Sequence, residues 1–315
     1  VVTVRRLPPQ TYASPGGVAL QADLYLPEGT GAPPPVIVWI HGGGWRSGTR
    51  ELAPDPGRFF AERGFAMVAI DYRLSRVALF PAQIEDVRTA IRWLRSLASG
   101  HGIDSSRIGL WGASAGGHLA ALAALAPLNC FRPVDARYPD QDAAVQAVVV
   151  GYAPIDFLQL DAHRPPPGTR SQDPESLLLP DPDQRSTEAH SYESLLLGAP
   201  IATCPERVRA ANPIAYLGGR SAPFLILHGL ADTTVPPHQS ELLYDALKAG
   251  GTDVSLALID GLGHGFLNRT HLDAAGPRWM EIRKSCGDGT ESISRHQQLV
   301  FPVVEAFFRA ALNPA

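Results

Sequence analysis

Apolar positions along the chain alternate between two rhythms. Short β-rich runs at Val18–Leu26, Val36–Ile40, Phe65–Asp71, Arg107–Trp111, Ala144–Val150, Phe224–Leu227 and Val254–Ile259 are predicted to be strands. Between them, apolar side chains recur every three or four residues. Ile84–Ala98 shows this best, with Val87, Ile91 and Leu94 on one face and charges between them. Further helices are expected near Gly57–Arg63, over Gly116–Leu125, over Gln239–Lys248 and from Gln297 to Ala311. Strands and helices in alternation predict an α/β fold: a mostly parallel sheet flanked by helices.

The rhythm breaks twice. Residues 156–213 are rich in Pro, Asp, Ser and Arg, and Arg164-Pro165-Pro166-Pro167-Gly168 can continue neither a helix nor a central strand. We expect a cap-like insertion there, after the sixth strand, within one domain spanning residues 1–315. Asn268–Ser294 is expected to be irregular too, which would make Val254–Ile259 the last strand.

Composition narrows the class. A formal net charge of −4 with no basic cluster argues against nucleic acid or an anionic membrane surface as partner. No apolar run is long enough to span a bilayer. Residues 1–20 contain no apolar signal-peptide core, which favours the cytoplasm over secretion as an expectation. Cys130, Cys204 and Cys286 show no metal-ligand spacing, and their odd number leaves at least one thiol outside any intrachain disulfide.

Three motifs carry chemistry, each just after a predicted strand. Gly112-Ala113-Ser114-Ala115-Gly116 has the strand–turn–helix setting of a nucleophile elbow, which points the serine hydroxyl outwards at the positive end of a helix dipole. In His41-Gly42-Gly43-Gly44-Trp45, a glycine run lets backbone N–H groups face a developing oxyanion. Gly43 and Gly44 with Ala115 are the expected donors, Gly42 remaining an alternative; His41 is expected to anchor the loop. The third motif is a pair: Asp232 in His228–Asp232 and His264 in Gly261–Phe266. Ser114, then Asp232, then His264 is the chain order of a nucleophile–acid–base set in α/β hydrolases.

With Asp71-Tyr72-Arg73-Leu74, Pro81–Leu94 and Val235-Pro236, these motifs give a sequence that resembles the α/β-hydrolase superfamily. Within it, the resemblance is to hormone-sensitive-lipase-like and bacterial feruloyl-esterase-like carboxylesterases. It implies an enzyme that cleaves small carboxylic esters with no metal or organic cofactor. An arylformamidase-type amidase and a carbohydrate-linked acetyl or feruloyl esterase are the alternatives. Trp45, Phe157, Phe266 and Trp279 are expected, from chain position, to wall the substrate pocket.

Overall fold

Strand order explains where a site can form. The computed structural model describes residues 2–52, 54–55, 59–131, 137–176, 185–218 and 221–312. Its strands are β1 (Val4–Arg6), β2 (Gln10–Ala13), β3 (Leu20–Pro27), β4 (Pro35–Ile40), β5 (Ala66–Ile70), β6 (Asp104–Ala113), β7 (Ala147–Gly151), β8 (Phe224–Gly229), β9 (Val254–Ile259), β10 (Arg278–Ser285) and β11 (Glu291–Gln298). They form one sheet in the order β1-β3-β5-β4-β6-β7-β8-β9-β10-β11, with β2 also paired to β3. β5, β4, β6, β7, β8 and β9 run parallel, and antiparallel strands close both sides. The chain moves from β4 outwards to β5 and then returns to the other side of β4 with β6. That reversal opens a crevice at the carboxyl ends of β4 and β6, where open α/β sheets bind ligands. The glycine loop follows β4, and Ser114 follows β6.

Alternate residues of the central strands enter two cores. Val36, Val38 and Ile40 face one core with Ile108, Leu110, Val148 and Val150. Ile37 and Trp39 face the other with Trp111, Ala113 and Val149. Both faces are buried, so these strands read as continuous apolar runs. The first core is covered by α1 (Ala82–His101), α2 (Ala115–Leu125) and a C-terminal helix of the β8–β9 connection, His238–Ala249. The second is covered by Val300–Leu312, which contributes Val300, Phe301, Val304, Phe308 and Leu312.

Several expectations need correction. The last parallel strand is not the last strand: β10 and β11 form an antiparallel hairpin that begins in the stretch expected to be irregular and runs on to Gln298, so the final helix starts at Val300, not Gln297. Their alternation is masked because β11 lies at the sheet edge, where mostly polar residues face solvent. Two short N-terminal strands, β1 and β2, were also unforeseen, and residues 156–213 follow β7, the seventh strand in chain order, not the sixth. Of the helix expected near Gly57–Arg63, Gly57 and Arg58 lie outside the described residues, Phe59 is helical, and Ala61–Arg63 form a 3-10 turn. All three cysteines are free.

The stretch 156–213 contains short helices: α3 (Leu160–His163), α4 (Tyr192–Leu197) and α5 (Pro205–Ala211). Local chemistry sets the limits of α4. Ser191 Oγ accepts from Ser194 N at its start, and Gly198 ends it in the left-handed conformation. Among the described residues, no helix is long and apolar enough to cross a membrane.

Candidate active site

Ser114 occupies the turn between β6 and α2 with φ 54 and ψ −123. A non-glycine residue in such a region costs about 1–3 kcal/mol and persists only where its surroundings hold it. Here Ser114 N donates to Gly151 O at 2.8 Å, and His118 N donates to Ser114 O at 3.0 Å. Close packing tightens the turn further. A Cβ at Gly116 would lie 2.0 Å from Ile40 O, so α2 sits against β4 only because that side chain is absent. Arg88, on α1, holds the far end of α2 by donating to the carbonyls of Ala123, Ala126, Pro127 and Cys130.

His264 comes from the loop after β9. Its Nε2 accepts the Ser114 hydroxyl at 3.0 Å, and its Nδ1 donates to Asp232 Oδ2 at 2.7 Å. Asp232 follows β8. Its Oδ1 accepts from Thr234 N at 2.9 Å and Val235 N at 3.0 Å, and Oδ2 also lies 3.4 Å from His228 Nε2. His228 is fixed in turn, donating from Nε2 to Val235 O and accepting from Ser240 Oγ at Nδ1. Burial favours the protonated form of Asp232. Attraction to His264 and the hydrogen bonds from His228 and His264 outweigh it, holding the carboxyl well below its usual range.

His264 and Asp232 are buried, whereas Ser114, Gly43 and Gly44 are partly exposed. A reactant would therefore meet the hydroxyl and the glycine loop first. Gly43, Gly44 and Trp45 all have positive φ. Among the described residues, the N–H groups of Gly43, Gly44 and Ala115 make no hydrogen bond within the chain. His41 underpins this loop. Its Nδ1 donates to Gly42 O at 2.7 Å, and its ring stacks on Tyr72, whose hydroxyl donates to His41 O. Burial pulls the His41 pKa down to about 4, against the opposing pull of the Gly42 hydrogen bond, so the ring is neutral at pH 7. Asp71 and Asp86 lie in ion pairs with Arg50 and Arg73.

The aromatic residues expected to wall a pocket are placed otherwise. Trp45, Phe157 and Phe266 are 1%, 2% and 0% exposed, so they offer a ligand no surface. Trp45 packs edge-on against His118 and Phe157 beneath the glycine loop, and Phe266 packs on Tyr152. Trp279 belongs to the edge hairpin, with the Arg295 guanidinium over its ring. For Trp45 and Phe266, chain position beside a motif was a poor guide because a motif's neighbours must also anchor its loop in the core.

Three contacts were not foreseen. The Tyr192 ring of α4 lies against Gly44, where a Cβ would come within 2.3 Å of it. The Tyr152 ring packs edge-on against His264 at 4.8 Å, and burial keeps its phenol protonated far above neutral pH. Asp173 binds the loop of His264. For Tyr192 a sequence signal existed, the capping serine and the closing glycine of α4. For Asp173 there was none. Among the described residues, no group of three or more His, Cys, Asp or Glu is arranged to hold a metal ion.

Known proteins share this arrangement of elements. The chain is 32% identical over 235 residues to Esterase LipQ of Mycobacterium tuberculosis, covering 74% of this chain and 50% of LipQ. It is 32% identical to the probable carboxylic ester hydrolase LipM of the same organism, covering 68% of this chain and 45% of LipM. The chain thus spans about half the length of the curated relatives it matches. Among solved structures, a truncated carbohydrate esterase from gut microbiota superposes with a TM-score of 0.70 at 26% identity, covering 86% of this chain and 93% of that one. Esterase Est2 of Thermogutta terrifontis with propionate bound gives a TM-score of 0.64 at 25% identity, covering 85% and 91%. The BD-FAE family model matches residues 22–247, from β3 through the turn at Ser114 and Asp232 into the helix before β9. A match over that much of the length, on a sheet of this order, makes the chain a member of the BD-FAE family of α/β-hydrolase esterases.

Proposed function

We propose that this chain is a serine carboxylesterase that cleaves small carboxylic esters through an acyl-enzyme on Ser114. The observation that carries the reading is the unbroken relay from Ser114 Oγ through His264 to the buried Asp232, with contacts of 3.0 and 2.7 Å. His264 Nε2 takes the hydroxyl proton as Oγ attacks the ester carbonyl. Asp232 holds the proton on Nδ1 and stabilises the imidazolium. The oxyanion forms against the N–H groups of Gly43, Gly44 and Ala115, where one donor is typically worth ~3 kcal/mol. His264 then protonates the departing alcohol, and water repeats the sequence on the acyl-enzyme.

Residues 156–213 act in this reading as a partial cap within a single domain, and Tyr192 walls the site beside Gly44. A short acyl group suits it, since Est2 of T. terrifontis is described with propionate and with butyrate bound. A carbohydrate-linked acetyl or feruloyl ester is the second reading, favoured by the likeness to the gut carbohydrate esterase.

Hydrolysis of a p-nitrophenyl ester series, with Ser114→Ala as control, tests the proposal. Turnover should be fastest on short chains and should vanish in the variant. Undiminished turnover in Ser114→Ala would overturn it. Acetylated and feruloylated oligosaccharides, assayed beside the aryl esters, decide between the two substrate readings.

A further inference from the structure

The loop that carries His264 is held from outside its own strand. One carboxylate of the insertion spans both sides of the histidine. Asp173 Oδ2 accepts from Gly263 N at 2.7 Å and from Arg269 Nη2 at 2.7 Å, and its Oδ1 accepts from Arg269 Nη1 at 3.1 Å. Gly263 immediately precedes the histidine, and Arg269 lies on the turn that follows it. Two serines flank the carboxylate. Ser176 Oγ donates to His264 O at 3.4 Å, and Ser171 Oγ donates to Ala231 O at 2.6 Å, beside Asp232. Residues 171–176 therefore touch both loops that deliver the relay to Ser114.

The fit leaves no slack. A Cβ at Gly263 would lie 2.5 Å from Ser171 Oγ and 2.6 Å from Ser176 Oγ. Gly263 is thus a glycine because the insertion packs on it, not because its backbone needs left-handed freedom. The ion pair is well enclosed, with side-chain exposures of 10% for Arg269 and 5% for Asp173. Burial raises the Asp173 pKa, but the hydrogen bonds from Arg269 and Gly263 outweigh it, and the carboxylate stays ionised at neutral pH.

We propose that Asp173 is a positioning residue for His264: by tying Gly263 and Arg269 to the insertion, it sets where the imidazole stands relative to Ser114 Oγ. The inference rests on the reading of Ser114 and His264 as nucleophile and base. Asp173 touches neither Ser114 nor the imidazole and acts only through the loop. Misplacing a catalytic group by about 1 Å can cost about 100-fold in rate.

The test uses the full chain with Asp173→Ala, Asp173→Asn and Gly263→Ala. Paraoxon, a phosphotriester that releases p-nitrophenol on reaction with an active serine, is taken to completion to count competent sites. On a separate, unreacted portion of each variant, kcat and KM for p-nitrophenyl acetate are measured per counted site across pH. For Asp173→Ala, kcat per site should fall about 10–100-fold with KM changed less than about threefold, and the acid limb of the pH profile should move. Asp173→Asn should lie between, because its amide oxygen still accepts from Gly263 N while the charge opposite Arg269 is gone. Gly263→Ala should reproduce the kcat loss with Asp173 intact, so the role stays testable if Asp173→Ala fails to fold. A purely structural ion pair would lower thermal stability and the count of competent sites, but would leave kcat per site and the pH limb unchanged; that result overturns the positioning role. Wild-type turnover that survives Ser114→Ala would overturn the reading of the site, and the positioning role with it.

Discussion

Replacing Asp232 with asparagine changes one atom and should disable the base. In the wild type, Asp232 Oδ1 accepts two backbone N–H groups, from Thr234 and Val235, while Oδ2 faces His264 Nδ1 at 2.7 Å. Asparagine offers one oxygen and one NH2. Turning its NH2 towards Thr234 and Val235 would leave two buried N–H groups without an acceptor, at about 1–3 kcal/mol each. The oxygen therefore stays on the turn and the NH2 faces His264. That NH2 needs an acceptor, so Nδ1 must lose its proton and the neutral ring must carry it on Nε2. Nε2 then donates towards Ser114 Oγ and can no longer take its proton. A wrong tautomer in such a relay costs about 10⁴-fold in kcat, or about 5.4 kcal/mol of barrier. Hydrolysis of p-nitrophenyl acetate at pH 7.5, corrected for the Ser114→Ala background, reads the effect, and circular dichroism checks the fold. A folded Asp232→Asn retaining kcat within about tenfold of wild type would refute the tautomer argument.

Three further outcomes are expected. His41 and His118 are buried and neutral, with pKa values pulled down by burial to about 4. Below pH 6.5 the unfolded chain binds protons that the folded chain refuses, so stability should fall as pH drops from about 6.5 to about 4, by about 3 kcal/mol per histidine. Urea unfolding at pH 7 and pH 4.5 measures this, and His118→Gln should shrink the difference; an unchanged difference would count against it. Gly44→Ala puts a Cβ 2.3 Å from the Tyr192 ring at a φ of +57. The left-handed backbone alone should cost about 1–2 kcal/mol, and displacement of the loop should lower kcat more than it raises KM, as steady-state kinetics would show. Arg88→Met strips the carbonyls after α2 of their donor and should lower stability by about 2–4 kcal/mol with kcat nearly unchanged; a calorimetric Tm equal to wild type would contradict that role.

Much of this was legible in the chain. β4, β6, β7, β8 and β9 announce themselves because both faces of each are buried, which leaves continuous apolar runs. The edge elements do not. Ile293 on β11 is 72% exposed, and nothing in such a strand separates it from a polar loop. Motif residues followed the same division. Ser114, Asp232 and His264 each sit just past a legible strand, so their order along the chain could be read directly. The four pocket aromatics had no periodicity behind them, and three of them lie in the core.

The sequence by itself determined the parallel sheet, the tight turn at Ser114 and the order of the three polar residues. All are local: strand burial, the glycines of a tight turn and the helix that follows are written in neighbouring residues. Only the tertiary structure decided what stands against those residues. Tyr192 over Gly44, Arg88 on the end of α2 and Asp173 on Gly263 join positions 148, 35 and 90 residues apart or more. Such contacts leave no local pattern, because the chain between the partners is free to vary, and they exist only once the sheet has brought α1 against α2 and residues 156–213 over the loops at its carboxyl ends.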